Sequence, residues 1–144
     1  MDTAQAKKAV VELLTQKPQL FVLSTVDEAG APQSRLMGAI LLKDWNILYM
    51  ASDSDARKVT QIEKNPNVQV LCWSADCSAV ATVSGTATME KSAKSRKEFW
   101  DAVPACAKHY SGPDDAGLGI IRIRLREGEY LDCAAGYEVT RVEF

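Results

Sequence analysis

The segment "QSRLMGAILL" (residues 33–42) decides the architecture. As one continuous strand it would alternate faces residue by residue. Ser34, Leu36, Gly38, Ile40 and Leu42 then share one face, and Arg35, Met37, Ala39 and Leu41 share the other. Both faces are mainly apolar, so both need cover. An antiparallel sheet commonly leaves one face wet, whereas a small barrel fills its interior with one face and needs an outside cover for the other. A second subunit is the economical cover, which predicts a homodimer.

Outward from this segment the chain reads as strands in succession. Upstream, "LFVLSTV" (20–26) is a strand, and "DEAGAP" turns it into a hairpin with residues 33–42 through Gly30 and Pro32. Residues 3–16 carry Ala6, Ala9, Val10, Leu13 and Leu14 at helical spacing, and Pro18 ends the pattern. Downstream, "ILYMAS" (47–52), "NVQVLCWS" (67–74), "AVATVSGTATME" (79–90) and the strictly alternating "GIIRIRLRE" (119–127) are strands, followed by the short strands "EYLDCA" and "YEVTRVEF". Helices are expected at 55–64 and 92–103, with "YSGPDDAG" as a loop. Gly85 is expected at a bulge or a close backbone approach. Successive strands with helices only at connections exclude a regular βαβ sheet and predict a mainly β (α+β) domain or a barrel with helical insertions.

Bulk properties bound the function. The 144 residues suit one domain spanning 1–144, and 47% hydrophobic with 25% charged residues is ordinary for a globular protein. A net charge of −2 gives no general attraction to nucleic acid or anionic membrane. The apolar runs are too short to span a bilayer, and the N-terminus lacks a signal-peptide pattern, so a cytoplasmic location is expected. Cys72, Cys77, Cys106 and Cys133 form no CxxC, and His109 is the only histidine, which argues against a structural zinc site. The cysteines read as reduced packing residues.

The chemistry concentrates in "ASDSDARKVTQIEKNPNV" (51–68). Arg57 and Lys58 open a short amphipathic helix, although a helix N-terminus is already positive. With Ala56, Val59 and Ile62 as the apolar stripe, Lys58 lies about 100° from its centre and Arg57 about 160°. Lys58 therefore flanks the buried side and Arg57 points outward. Arg35 belongs to a covered face, where a guanidinium should have an anionic partner. Ser52 and Ser54 hydroxyls, a helix N-terminus and three cations together form an inventory for a phosphate monoester. The competing reading is solvated cations neutralised by Asp53 and Asp55. Neither GxxxxGK[ST] nor a strand-borne GxGxxG is present.

Taken in order, "LSTVDEAGAPQSRLM" (23–37), "ILYMASDSDARKVTQIEKNPNVQV" (47–70), "VSGTATM" (83–89), "FWDAVP" (99–104), "YSGPDDAG" (110–117) and "GEYLD" (128–132) resemble the FMN-binding split-barrel proteins of the pyridoxamine 5′-phosphate oxidase-like superfamily, in the general stress protein branch. The resemblance implies a six-stranded antiparallel split β-barrel with a few peripheral helices, dimeric, with FMN between the subunits. It implies that Arg35 and Lys58 grip the FMN phosphate and that Arg57 is the basic residue preceding that lysine. Leu36 and Met37 would lie along the isoalloxazine ring, Ser52 would bond the flavin or its phosphate, and Trp100 would pack on a helix near the flavin.

The chain departs from the family pattern at two places. Ala56 stands where a serine is common, with Ser54 as a candidate to compensate, and Leu131 stands where a tryptophan is common. The C-terminal arginine and histidine of the true oxidases also lack counterparts, which argues against pyridoxamine 5′-phosphate oxidation itself. The resulting expectation is an FMN-dependent oxidoreductase acting on an unidentified small molecule, with no catalytic side chain assigned and no metal. The alternatives are a non-catalytic flavin-binding, sensing or stress-related protein with a weakened flavin site, or a scaffold whose flavin site has decayed, and deazaflavin or haem are the alternative cofactors. Arg122, Arg124 and Arg126 read as the solvated face of a strand.

Overall fold

The computed structural model describes residues 1–19, 21–38 and 40–144. Leu20 and Ala39, assigned above to strands, lie outside the described residues. The elements are α1 (Thr3–Thr15), β1 (Phe21–Val26), β2 (Pro32–Met37), β3 (Ile40–Lys43), β4 (Ile47–Asp53), α2 (Arg57–Lys64), β5 (Asn67–Trp73), β6 (Ala79–Met89), α3 (Ala93–Ala102), a 3₁₀ turn (Pro104–Lys108), β7 (Leu118–Asp132) and β8 (Glu138–Glu143). The antiparallel sheet runs β2-β1-β5-β6-β7-β4-β3, with β8 also on β7. It is the half-barrel sheet of a split barrel, built from eight strands where six were expected.

Strand β7 is the spine. Its first half pairs with β4 and its second half with β8, while β6 runs along its other edge. The expected strand 119–127 and the short strand "EYLDCA" are therefore one fifteen-residue strand, and "YEVTRVEF" supplies its partner β8. The β6–β7 register shifts between Ser84 and Gly85. A Cβ on Gly85 would sit 2.4 Å from the Arg124 carbonyl oxygen and 2.8 Å from Ile123 Cγ2. The glycine is required by close approach at a bulge, as its sequence context suggested.

Residues 33–42 do not form one strand. Pro32–Met37 pairs with β1, and Ile40–Lys43 pairs with β4, on opposite borders of the sheet. The facing changes between them. Met37, Ile40 and Leu42 all face the main core, whereas strict alternation would put Met37 opposite Ile40 and Leu42. Leu36 points outward and is 73% exposed. Leu41 packs under α3 with Ile47, Tyr49 and Phe99. The outer face of β3 is thus covered by this chain's own helix, and that part of the argument for a second subunit falls away. The exposed Leu36 keeps the other part.

Two apolar layers sandwich the β4–β7 portion of the sheet. The main core joins Leu48, Met50, Ile121 and Ile123 to Val10 and Leu14 of α1. The second joins Tyr49, Leu118 and Ile120 to Phe99 of α3 and Cys106 of the 3₁₀ turn. Helix α1 begins at a capping box in which Asp2 accepts from the Gln5 amide at 2.8 Å, and the Gln5 side chain accepts from the Asp2 amide at 2.9 Å. All four cysteines are free, with Cys72 and Cys106 buried as packing residues. Among the described residues, no helix is long and apolar enough to cross a membrane.

Candidate functional site

The site forms where β1, β2 and the end of β4 meet α2. Strand β1 buries Phe21 and Leu23 on its inner face and then, at the same parity, Thr25, which is 1% exposed. A buried hydroxyl requires partners. Thr25 Oγ1 donates to Gln61 Oε1 of α2 at 2.6 Å and accepts from Arg35 Nη1 at 2.8 Å. Arg35 Nη1 also reaches the carbonyls of Leu23 (3.2 Å) and Gln33 (3.1 Å), and Nη2 donates to Gln61 Oε1 at 3.3 Å. The arginine therefore staples β1, β2 and α2 through neutral acceptors alone.

The anionic partner expected for Arg35 is thus not a carboxylate among the described residues. Among the described residues no carboxylate forms a salt bridge with Arg35, Arg57 or Lys58. The guanidinium Nε–H and one Nη2 hydrogen are likewise without a protein acceptor among them. Carbonyl and amide oxygens solvate the charge without neutralising it.

Lys58 lies one helical turn before Gln61, the acceptor of Arg35 Nη2. Its Nζ donates to Ser52 Oγ at 3.2 Å, and Ser52 Oγ donates to the Asp53 carbonyl at 3.1 Å. Ser52 is buried, Lys58 half-buried and Arg57 exposed, as helical geometry predicted for the two cations. Burial pushes the Lys58 ammonium below the usual lysine value, Arg35 pushes it further, and Asp53 opposes both. Burial, then Arg57, lowers Arg35 in the same way. Three like charges thus converge, and an anion placed among them would relieve both desolvation and repulsion.

Helix α2 adds to this field. It starts at Arg57 rather than Asp55, its N-cap is Ala56 with no side-chain cap, and its first turn carries no acidic residue. The positive end of the helix is left uncompensated. The bend leading into it is braced by the 110–117 loop. The Ser54 amide donates to the Gly117 carbonyl at 2.9 Å, and Ser54 Oγ donates to the Ala116 carbonyl at 2.8 Å. The Ser54 hydrogen is therefore spent, and Ser54 does not stand in for a serine at position 56 as a donor. Arg96 of α3 holds the loop through the carbonyls of Pro113, Asp115 and Leu118. Gly119 permits the close pairing of β7 with β4 here, because a Cβ would lie 3.2 Å from both Ser52 O and Ser54 Cα.

The other expected residues distribute differently. Met37 shares Arg35's inward parity and packs on the main core, whereas Leu36 faces outward. Trp100 is half-buried in the layer beneath α3, not in the layer that holds Arg35 and Lys58. Residue types alone did not single out Thr25 and Gln61. A polar residue at the inward parity of an otherwise apolar strand was the available signal for Thr25, and helical spacing from Lys58 was the signal for Gln61.

A cleft of about 380 Å³ opens beside the end of β4, between Gly38, Ala51, Cys106, Lys108, His109 and Tyr110. Tyr110 connects it to the cationic group, since its hydroxyl donates to Asp53 Oδ1. A larger concavity of about 430 Å³ lies on the outer sheet face among Gln69, Ser84, Glu127, Glu129, Arg141 and Glu143. Its three carboxylates disfavour an anion, so charge outweighs size in choosing between them. Arg122 and Arg126 engage Glu90 and Thr86 as members of a solvated strand face.

With the geometry established, comparison with known proteins is specific. The sequence model for the family described as Pyridoxamine 5′-phosphate oxidase matches residues 6–132. General stress protein 26 of Bacillus subtilis (strain 168) is 29% identical over 127 residues, covering 85% of this chain and 86% of that protein. The crystal structure of General Stress Protein 26 from Bacillus anthracis str. Sterne superimposes with a TM-score of 0.74 at 28% identity, covering 94% of this chain and 97% of the other. A related protein from Clostridium acetobutylicum has a TM-score of 0.81 at 16% identity, covering 100% and 97%, and supports the fold alone.

Proposed function

The chain belongs to the pyridoxamine 5′-phosphate oxidase family, in the general stress protein 26 branch, and from that premise we propose that it is a single-domain, homodimeric FMN-binding protein and an oxidoreductase acting on a small molecule. The observation that carries the proposal is the convergence of Arg35 and Lys58, with neutral partners only, at the uncapped start of α2. FMN ends in a phosphate monoester, and the donor set suits one.

In this reading Lys58 and Arg35 bind the phosphate with charge-assisted hydrogen bonds, and Arg57 contributes a screened charge from outside. Ser52 orients Lys58 by accepting one of its three hydrogens, which leaves two for the ligand. The chain of Arg35, Thr25 and Gln61 fixes the guanidinium before the ligand arrives, so little side-chain entropy is lost on binding. Leu36 and Met37 follow Arg35 along β2 and are proposed to border the isoalloxazine ring, with Trp100 at the more distant helix. The exposed Leu36 is the natural point for a second subunit to approach the flavin. FMN, when bound, supplies hydride or single-electron transfer, and the protein supplies binding and orientation. No side chain of the site is assigned an acid or base role.

The proposal is tested on protein purified without added flavin and then loaded with FMN. Bleaching of the 450 nm-region absorbance by NADH or NADPH under anaerobic conditions, and its return on adding a quinone, supports the oxidoreductase reading. Stoichiometric FMN binding with no reduction by either nucleotide replaces it with a flavin-binding or sensing role. A protein that binds no FMN refutes both.

A further inference from the structure

We propose that Tyr110 is a positioning residue that holds the Asp53 carboxylate away from Lys58 and so keeps the anion pocket cationic; its effect on FMN affinity rests on the reading above, whereas the contact itself does not. Asp53 and Ser52 are adjacent at the end of β4, and Ser52 Oγ is the acceptor for Lys58 Nζ. By strand alternation the two side chains leave opposite faces. Ser52 points into the buried layer, and Asp53 points outward to the loop that carries Tyr110.

Asp53 is the acid whose field reaches Lys58, and it is the last, exposed residue of its strand, where its carboxylate has rotamer freedom unless a side-chain partner holds it. That partner is the Tyr110 hydroxyl, which donates to Asp53 Oδ1. The loop bearing Tyr110 is held in turn. Its backbone amide bonds the Cys106 carbonyl at 3.0 Å, Asp115 closes the following turn through the Ser111 and Gly117 amides, and Arg96 clamps the far side. Burial and the neighbouring Asp53 push the Tyr110 phenol upward, so it remains a donor throughout the neutral range.

Without the hydroxyl, the released carboxylate is free to turn toward Lys58, whose ammonium already feels its charge. An Asp53–Lys58 pair would occupy the hydrogens that a phosphate needs and add a negative charge at the pocket mouth. Surface pairs of this kind are weak, so a loss of about three- to five-fold in anion affinity is expected rather than abolition.

The test uses Tyr110→Phe, which keeps the ring and its packing. The crystal structure of this variant is expected to show the Asp53 carboxylate within salt-bridge distance of Lys58 Nζ; a carboxylate that stays on the outer face overturns the inference, whether or not the protein binds flavin. In solution, Tyr110→Phe is expected to weaken FMN and inorganic phosphate by the same factor, and Asp53→Asn added to it is expected to restore both. Equal weakening in the single and double variants overturns it, because the tyrosine would then act through packing alone. If the parent chain binds inorganic phosphate but no FMN, the phosphate titrations still decide the role of Tyr110 while the flavin reading fails.

Discussion

Replacing Lys58 with methionine removes one ammonium group and keeps an apolar stem of similar length. Lys58 has three hydrogens, of which one is held by Ser52 Oγ at 3.2 Å. Two are left for a phosphate, and a charge-assisted hydrogen bond contributes about 1.5–3 kcal/mol. Because Lys58 is only half-buried, solvent screening reduces the pair to about 2–3 kcal/mol, or roughly 30- to 150-fold in dissociation constant. Arg57 is exposed, so Arg57→Met should cost at most about 1 kcal/mol, or roughly five-fold.

Arg35→Met should lose at least as much FMN affinity as Lys58→Met, and it should lose stability too, because it also removes the donor to Thr25, Gln61 and two carbonyls. Lys58→Met should lose affinity but gain stability. Its ammonium has a lowered pKa in the folded chain, so between that value and its ordinary value of 10.5 the unfolded chain binds more protons. Stability therefore rises with pH across that window, and below it the protonated lysine opposes folding. Removing it should raise the melting temperature of the flavin-free protein. Flavin fluorescence titration and scanning calorimetry on the three variants measure both quantities. Equal affinities for Lys58→Met and Arg57→Met would rule out a phosphate contact by Lys58, and a lowered melting temperature for Lys58→Met would rule out a destabilising buried ammonium.

Gly85→Ala should destabilise by about 2 kcal/mol or more, because the new methyl meets backbone across the bulge, whereas Gly38→Ala has open space and should be near neutral; urea unfolding of both checks the contrast. In thiol labelling of the native protein, exposed Cys77 should react first and Cys72 last, since burial pushes the Cys72 thiol up to about 12; fast labelling of Cys72 would contradict its core position. Asp76 is held at about 2 by hydrogen bonds from Ser78 and Ser74, so its contribution is present above its ordinary value of 3.8 and lost as pH falls toward 2. Asp76→Asn should flatten the acid limb of the stability profile over that window, and an unchanged limb would count against the turn.

How far the sequence carried the reading differs by level. Periodicity located the strands because one face of each is buried, and "GIIRIRLRE" keeps its alternation as part of the spine. It failed at "QSRLMGAILL", where two strands on opposite borders of the sheet are joined by a short irregularity at Gly38. Apolar residues on both parities look the same whether one strand is covered twice or two strands change facing. Helix geometry separated Lys58 from Arg57 correctly, since the apolar stripe of Val59 and Ile62 fixes the rotation of α2. The partners of Arg35 were not legible. Thr25 and Gln61 come from distant segments, and only the packing of α2 on β1 brings them together.

The central claim is that Arg35 and Lys58 form a phosphate site for FMN. Titrating the flavin-free protein with FMN and with riboflavin, which differ only in the phosphate, tests it most directly. One FMN per chain is expected, with riboflavin weaker by about two orders of magnitude, the value of losing several charge-assisted hydrogen bonds together. Equal affinity for the two flavins would contradict it.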